Sequence, residues 1–431
     1  MINLIILILF YVTFPMFLIW LTTKSKFCKK LGAIVLAYAI GIIIANIGIL
    51  PKGSEGFRAQ TVGKDRSSIP KEEFAELRSA GVLTETDIKA NNVGNIQGLV
   101  QSSVIPLALP LILFSLNVKQ WLRFSGKGFL SMLLALVSVI FIVATGYLIF
   151  RSKIPDAQKV AGMLIGCYTG GTVNMASLAV ALKVEPNTFV MTNTYDMIVG
   201  GLTILFFVSV GPAVFRFFLP PYKSHTDQNG KNFDFGAMEK QMAEDFDDYS
   251  GIFKKEIILP LVGAFGLAVL IFAAAFGVSL LLPEVPQLIS VILTITTLGV
   301  AASFIPKIRN IKKSFQLGMY FIIAFSLRIA SRCDLSVFFQ VKYLNLLFFV
   351  TWAYFGSLIL HMILSWIFRV DADDYLITTT GFVYSPPFVP MVAAALKNKD
   401  VILTGLATGI IGWMVGNYVG IAFGVWLDKI F

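Results

Sequence analysis

Two stretches decide the reading of this chain: GCYTGGTVNMASLAVALK at 166–183 and GFVYSPPFVPMVAAALK at 381–397. Each is apolar enough to lie in a membrane, is interrupted midway and closes on Ala-Leu-Lys. Hydrocarbon offers no water to an unpaired backbone group. Irregular chain at membrane depth is therefore tolerated only against protein or along a water-filled cavity. In the first stretch Gly170 and Gly171 permit a helix to unwind. N–H groups freed at the start of the following half-helix suit an anionic group. Carbonyls freed before the break suit a cation such as sodium, and Thr169, Thr172 and Asn174 add side-chain oxygens. The plainer alternative is a packing break, where small residues let helices approach. In the second stretch Tyr384 and Ser385 precede Pro386 and Pro387, with Pro390 beyond. Adjacent prolines remove two donors and bar the preceding residues from helical geometry. Two such breaks crossing near the midplane form a candidate binding site.

The stretches belong to a longer recurrence. FSLNV (114–118) is followed by a span and Asp156-Ala157, and FSLRI (325–329) by a span and Asp371-Ala372. Earlier, ANIGILPK closes the apolar run 31–50 and AASFIPK closes 287–307. From FSLNV to the closing Ala-Leu-Lys the pattern is a duplication at an offset of about 215 residues, the sequence pointer to a transporter core. The first repeat is 1–219, with core-type helices at about 127–218 and a crossing helix at 157–183. Residues 220–255 are a polar connection. The second repeat is 256–431, with core-type helices at about 343–427 and a crossing helix at 372–397.

Composition sets the solvent. Of 431 residues 56% are hydrophobic, 14% are charged and 38 are Phe. A soluble chain carries charge at about a quarter of its positions. Apolar runs of spanning length lie at 3–22, 31–50, 97–117, 127–150, 157–182, 187–218, 256–282, 287–305, 316–331, 343–368, 372–397 and 399–427. The expectation is an all-α integral membrane protein with 11–13 transmembrane helices. The N-terminus has no basic n-region or small-residue cleavage site, so 4–21 reads as a retained first span. A short amphipathic helix is expected at 71–80.

The net charge of +10 reads as topology-setting loops rather than a nucleic-acid face. Basic segments 24–30 and 119–127 lie on one side and are expected to be cytoplasmic. In the second half the basic loop moves to 307–313, the switch that an inverted repeat produces. Six spans per repeat would keep the halves parallel, so one segment between 256 and 331 is expected to be misassigned or one crossing missed. Three scattered cysteines (28, 167, 333) and two histidines (225, 361) give neither a disulfide framework nor a metal site. No HExxH, GxSxG or phosphate-loop pattern appears. The expectation is a non-enzyme without a cofactor.

Asp196, in TNTYDMIVGG (192–201), stands half a helix into the next span. An ionisable group there is costly and by default functional. It suits sodium or an exchangeable proton; the structural alternative is a partner for a nearby Asn or Lys. Asn193, three residues earlier, shares its face. Thr169, Asn174 and Asp196 are the candidate sodium ligands. Gln97, Gln101, Ser102 and Ser103 line an entrance or begin a span at the interface. Arg328 and Arg332 read as snorkelling groups rather than substrate clamps. His361 reads as a hydrogen-bonded interior residue, and Asn417 as a packing or a site residue.

The segment AGMLIGCYTGGTVNMASLAVALKV (161–184), with GMYFIIAFSLRI (318–329) and VGNYVG (415–420), resembles the YjcL-like bacterial membrane family of unknown function. That resemblance covers most of the chain. More distantly, 166–174 is similar to the Cys-Pro-Gly-Gly-Thr-x-Ser-Asn region of bile-acid:sodium symporters. That second likeness implies inverted repeats, crossed broken helices, sodium beside them, and Thr169, Gly170, Gly171, Thr172 and Asn174 in the core site. The second break departs from the symporter pattern. An Asn-x-Gly-Gly-Pro-Thr-Thr-like run is expected, and 383–387 reads VYSPP. The resulting expectation is an ion-coupled secondary transporter of a small anionic organic solute in a bacterial inner membrane, compatible with a homodimer. The alternative is a non-transporting sensor or partner subunit that retains the fold.

Overall fold

An apolar run can lie in hydrocarbon only if its backbone pairs within itself, and the helix is the open-chain solution. The computed structural model describes residues 4–61, 68–115, 126–222, 248–284, 286–332, 341–398 and 400–430. The basic stretch 119–125, most of the polar connection, His225 and Cys333 lie outside the described residues. Among those described there is no strand. The chain is all-α.

The principal helices are α1 (Leu4–Lys24), α2 (Ala33–Asn46), α3 (Glu85–Phe114), α4 (Gly126–Phe150), α5 (Ala157–Ala181), α6 (Pro186–Val208) and α7 (Gly211–Phe218). They continue with α8 (Lys255–Leu281), α9 (Gln287–Ser303), α10 (Ser314–Ala330), α11 (Val341–Ile367), α12 (Ala372–Thr379), α13 (Val389–Leu396) and α14 (Ile402–Ile430). Among the described residues eight helices are long and apolar enough to cross a membrane: α1, α3, α4, α5, α6, α8, α11 and α14. Helices α2, α9 and α10 are shorter and apolar. Side chains such as Leu202, Leu259 and Leu270 stay exposed on the outer faces, as contact with lipid requires.

Two boundaries differ from the hydropathy reading. Helix α3 begins at Glu85, not near 97, because the Thr84/Asp87 capping box starts it in a polar stretch. A small cluster of Phe57, Ile69, Leu83 and Ala90 covers that end. The expected span 187–218 is two helices, split at Ser209, with Pro212 in the first turn of α7. Helices stand at all three expected positions between 256 and 331, but among them only α8 is long and apolar enough to cross a membrane. The short helix expected at 71–80 is Lys71–Ser79.

Helix α14 lies along α5 and also meets the second broken segment. Lipid gives helices no hydrophobic reason to associate, so close contact must come from small residues and polar bonds. Gly412 is the tightest case: a Cβ there would stand 1.6 Å from the Thr169 carbonyl oxygen. Around this core α4 packs on α11, and α3 on α9 and α10.

At the start of α8 the chain is tied back to α10. Lys313 Nζ donates to Asp248 Oδ2 at 2.9 Å and to its carbonyl at 2.7 Å. The Lys313 hydrogen bond, with the Ser250 amide, holds the Asp248 carboxyl down at about 2. A depressed folded pKa contributes stability that is present above the usual carboxylate range and lost as pH falls toward 2.

Two outcomes follow. Gly412→Ala is expected to lower stability in neutral detergent by about 3 kcal/mol, as overpacking does. Gly263→Ala, which meets nothing within 4 Å, should stay within about 1 kcal/mol of wild type. Thermal unfolding of the two variants checks this. In the same assay the stability difference between wild type and Asp248→Asn should shrink between pH 4 and pH 2; a constant difference contradicts the bridge.

Candidate functional site

The two breaks meet. Helix α5 is interrupted at Gly171, which takes φ 70° and ψ −160°. The second segment runs from α12 through a π-helical turn (Thr380–Tyr384) to Ser385, at φ 77° and ψ 165°, and then a 3₁₀ turn (Pro386–Phe388) into α13. Both residues thus share one unusual backbone conformation, open to glycine and strained for serine. Ser385 Oγ donates to the Gly170 carbonyl at 3.3 Å. A Cβ on Gly171 would lie 2.1 Å from that hydroxyl, so glycine is required there. The closing lysines also correspond, with Lys183 at φ 52° and Lys397 at φ 54°.

The expected site residues fall into two groups around this contact. Thr169 and Asn174 face α14. Thr169 Oγ1 donates to the Ile165 carbonyl within its own helix at 2.8 Å. Asn174 Nδ2 donates to the Gly412 carbonyl at 2.9 Å, and its buried Oδ1 accepts no hydrogen bond from the described residues. One turn on, Ser177 Oγ donates to Asn417 Oδ1 at 2.5 Å, and Asn417 Nδ2 donates to Thr296 Oγ1 at 3.3 Å. Asn417 therefore bonds across helix packing beside the site. Pro386 packs at Gly409 of α14. Pro387 lies in the 3₁₀ turn, and Thr172 is partly exposed.

The other group surrounds Asp196. Its carboxyl lies near the Cys167 thiol and the Tyr168 hydroxyl of α5, and the buried Tyr168 hydroxyl makes no hydrogen bond among the described residues. Tyr168 stands edge-on to Tyr354 of α11, with ring centres 5.4 Å apart. The Tyr354 hydroxyl bonds the Tyr384 hydroxyl, which donates to the Gly200 carbonyl at 2.9 Å. Asp196 acts electrostatically on all three tyrosines. A carboxylate and three phenols thus converge between α5, α6, α11 and the second break. Asn193 Nδ2 reaches Met197 Sδ at 3.1 Å, and its Oδ1 is buried without a hydrogen bond among the described residues. The contacts of Asp196 and those of Thr169 and Asn174 do not join, so the three expected sodium ligands fall on two faces of α5.

Sequence reading missed Cys167, Tyr168 and Tyr354 as neighbours of Asp196. It also missed Arg216 on α7. This arginine grips Asp373 near the start of α12 with Nε and Nη2, both at 2.9 Å, and donates to the Leu396 carbonyl at the end of α13 at 2.8 Å. One guanidinium ties together both ends of the broken segment. Arg328 is fully buried, which overturns its snorkelling reading. Helices α1 and α3 cover it, bringing Tyr11 and Gln97 over Ser331. His361 is the expected interior residue, bonded to Ser131 Oγ at 3.2 Å and Thr379 Oγ1 at 3.1 Å.

Residues 79–430 match the family model described as protein of unknown function (DUF819). The chain is also similar to the uncharacterized membrane protein YjcL of Bacillus subtilis (strain 168). Identity is 25% over 362 residues, covering 82% of this chain and 90% of the relative.

Arg216→Ala is expected to destabilise the protein by about 1–2 kcal/mol, because it leaves the buried Asp373 carboxylate with Asn398 Nδ2 but without its cation. Arg216→Lys should recover part of the loss but not the two-pronged grip. Unfolding midpoints of the two variants in one detergent decide this.

Proposed function

We propose, from the premise that the chain belongs to the DUF819 family of membrane proteins, that it is a secondary transporter. Its cargo is a small anionic organic solute, driven by a sodium or proton gradient, and its place is a bacterial inner membrane. The observation that carries this reading is the contact of Gly171 with Ser385. Two mid-helix breaks that touch each other leave backbone amides and carbonyls aimed at one place, an arrangement that transporters use for substrate and coupling ion.

Each group has its role. The N–H groups that begin the second half of α5, beside Thr172, receive the anionic end of the solute. Asn174 offers its open Oδ1 to the solute or to sodium. Asp196 supplies the charge that couples. Its neighbours, a thiol and a phenol, are hydrogen-bond donors, which suits a carboxyl that exchanges a proton. Sodium would instead gather Asn174 Oδ1, the Thr169 hydroxyl and a carbonyl at the break. The matched backbone at Gly171 and Ser385, and at Lys183 and Lys397, supports two repeats, 1–219 and 256–431. The charge switch supports their inversion. Alternating access would then move the crossed segments, with α4, α6, α11 and α14, against the remaining spans. No bound cofactor or enzyme chemistry enters this scheme.

A second reading rests on one specific observation. The second break presents Val383 and two prolines where the symporters carry polar ligands. A membrane sensor or partner subunit that kept the fold needs no complete ion site.

Purified protein in liposomes separates the readings. A sodium or pH gradient should drive accumulation of at least one member of a panel of small carboxylates, and the gradient that works identifies the ion. Asp196→Asn and Asn174→Ala should each reduce the initial rate by about tenfold or more while unfolding near the wild-type temperature, as expected when a functional ionisable or polar group is lost from a membrane interior. Wild-type flux in both variants contradicts the site. The sensor reading predicts no gradient-driven flux for any solute.

A further inference from the structure

Both broken segments double back on themselves. In α5, Leu178 packs onto Gly166, and a Cβ on Gly162 would stand 2.9 Å from Leu182 Cδ1. A continuous helix would hold Gly162 and Leu182 about 30 Å apart, at about 1.5 Å of rise per residue. The reversal falls at Gly171, the position with non-helical φ and ψ. In the second segment Ile377 of α12 and Val389 of α13 both meet Gly405. Its ends are joined as well. Asn398 Nδ2 donates to Asp373 Oδ2 at 2.8 Å, and Arg216 spans Asp373 and the Leu396 carbonyl. Each segment therefore has a tip, at Gly171 or Ser385, and a mouth where it begins and ends.

The mouths lie far apart, and three helices run from one to the other. Along α14, the second segment meets Gly405 and Gly409, Thr169 meets Gly412, and Gln158 and Leu182 meet Gly424. From Gly405 to Gly424 is about 28 Å of helix, close to the depth of the hydrocarbon core. Helix α6 starts beside the first mouth at Pro186 and leads through α7 to Arg216 at the second. Helix α4 begins with Lys127, which acts electrostatically on Asp371 and Asp374 at the second mouth. The far end of α4 leads into the first mouth.

Charge agrees with this course. The basic segment 119–127 enters α4 at the second mouth, which places that mouth on the cytoplasmic side. Between 119–127 and the basic loop 307–313 stand α4, α6, α8 and α9, an even number of crossings. A further crossing by α5 would put the two basic loops on opposite sides.

We infer that the two broken segments are re-entrant hairpins, inserted from opposite faces of the membrane and meeting tip to tip at Gly171 and Ser385. Neither passes through the bilayer, which replaces the crossing helices expected at 157–183 and 372–397. The crossings that remain are α1 to α4 with α6 in the first half, and α8 to α11 with α14 in the second. An odd number in each half inverts one against the other. The span to withdraw is thus the broken one of each half, not one between 256 and 331. For the proposed transport, on whose reading this consequence rests, a solute at the tips is closed off from the outer face by the first hairpin. The second closes it off from the cytoplasm.

The test uses the full chain, with its native cysteines replaced by serine, in right-side-out and inside-out vesicles. Single cysteines are placed at exposed positions flanking each segment: Ser152→Cys and Lys183→Cys for the first, Arg369→Cys and Lys397→Cys for the second. A membrane-impermeant maleimide should label the first pair from the outer face only and the second pair from the cytoplasmic face only. Labelling of the two members of a pair from opposite faces, or of all four positions from one face, overturns the hairpins. Lys183, Arg369 and Lys397 have positive φ. Where a substitution there impairs folding, the partly exposed Thr188 and the exposed Phe368 and Asp400 carry the label instead. Labelling is read without gradient or solute, so its failure and the failure of transport are separate results.

Discussion

The hydrogen bond from Ser385 Oγ to the Gly170 carbonyl is the point on which the rest of the structure turns. Each broken helix releases backbone groups where lipid could not satisfy them. Placing one break against the other gives part of that need a protein partner. It also fixes what may stand at each position. Gly171 cannot carry a Cβ, and Ser385 accepts a strained backbone to present its hydroxyl. Strain of that kind persists only where surrounding packing over-determines it.

That packing is supplied by α14. Its glycines approach the backbone of both broken segments, from Gly412 at the Thr169 carbonyl to Gly405 near Gly381. Arg216 closes the arrangement from the opposite end by holding Asp373 and Leu396 together. The broken segments are therefore braced along their length while their centres stay irregular. Asp196 sits near this irregular centre, with Tyr168, Tyr354 and Tyr384 in its neighbourhood. An ionisable group beside a braced pair of helix breaks suits the proposed coupled transport, since the charge state of one group can bias the position of both.

Much of this was legible in the sequence for a physical reason. Gly-Gly and Pro-Pro inside apolar runs announce helix breaks wherever they fall. Asp-Ala before them and Ala-Leu-Lys after them marked the two stretches as a pair to compare, and most helix positions followed from hydropathy. What the sequence hid depends on long-range contact. Tyr354 sits in an ordinary apolar span, and nothing local connects it to Tyr384 or Asp196. Arg216 resembles a membrane-edge arginine until the fold brings Asp373 to it. Arg328 was misread because its place near a helix end suggests a path to water, whereas α1 and α3 close that path. The polar start of α3 was missed because hydropathy marks membrane depth, and a capped helix continues beyond it.

The proposed transport requires the meeting point of the two breaks to open alternately to the two sides of the membrane. Thr172, partly exposed beside Gly171, is the reporter. A Thr172→Cys variant, with the native cysteines replaced by serine, can be labelled by a membrane-impermeant thiol reagent in right-side-out and inside-out vesicles. Alternating access predicts labelling from both sides, with the balance shifted when the sodium or pH gradient is reversed. Labelling from one side only, under either gradient, would rule out alternating access at this point.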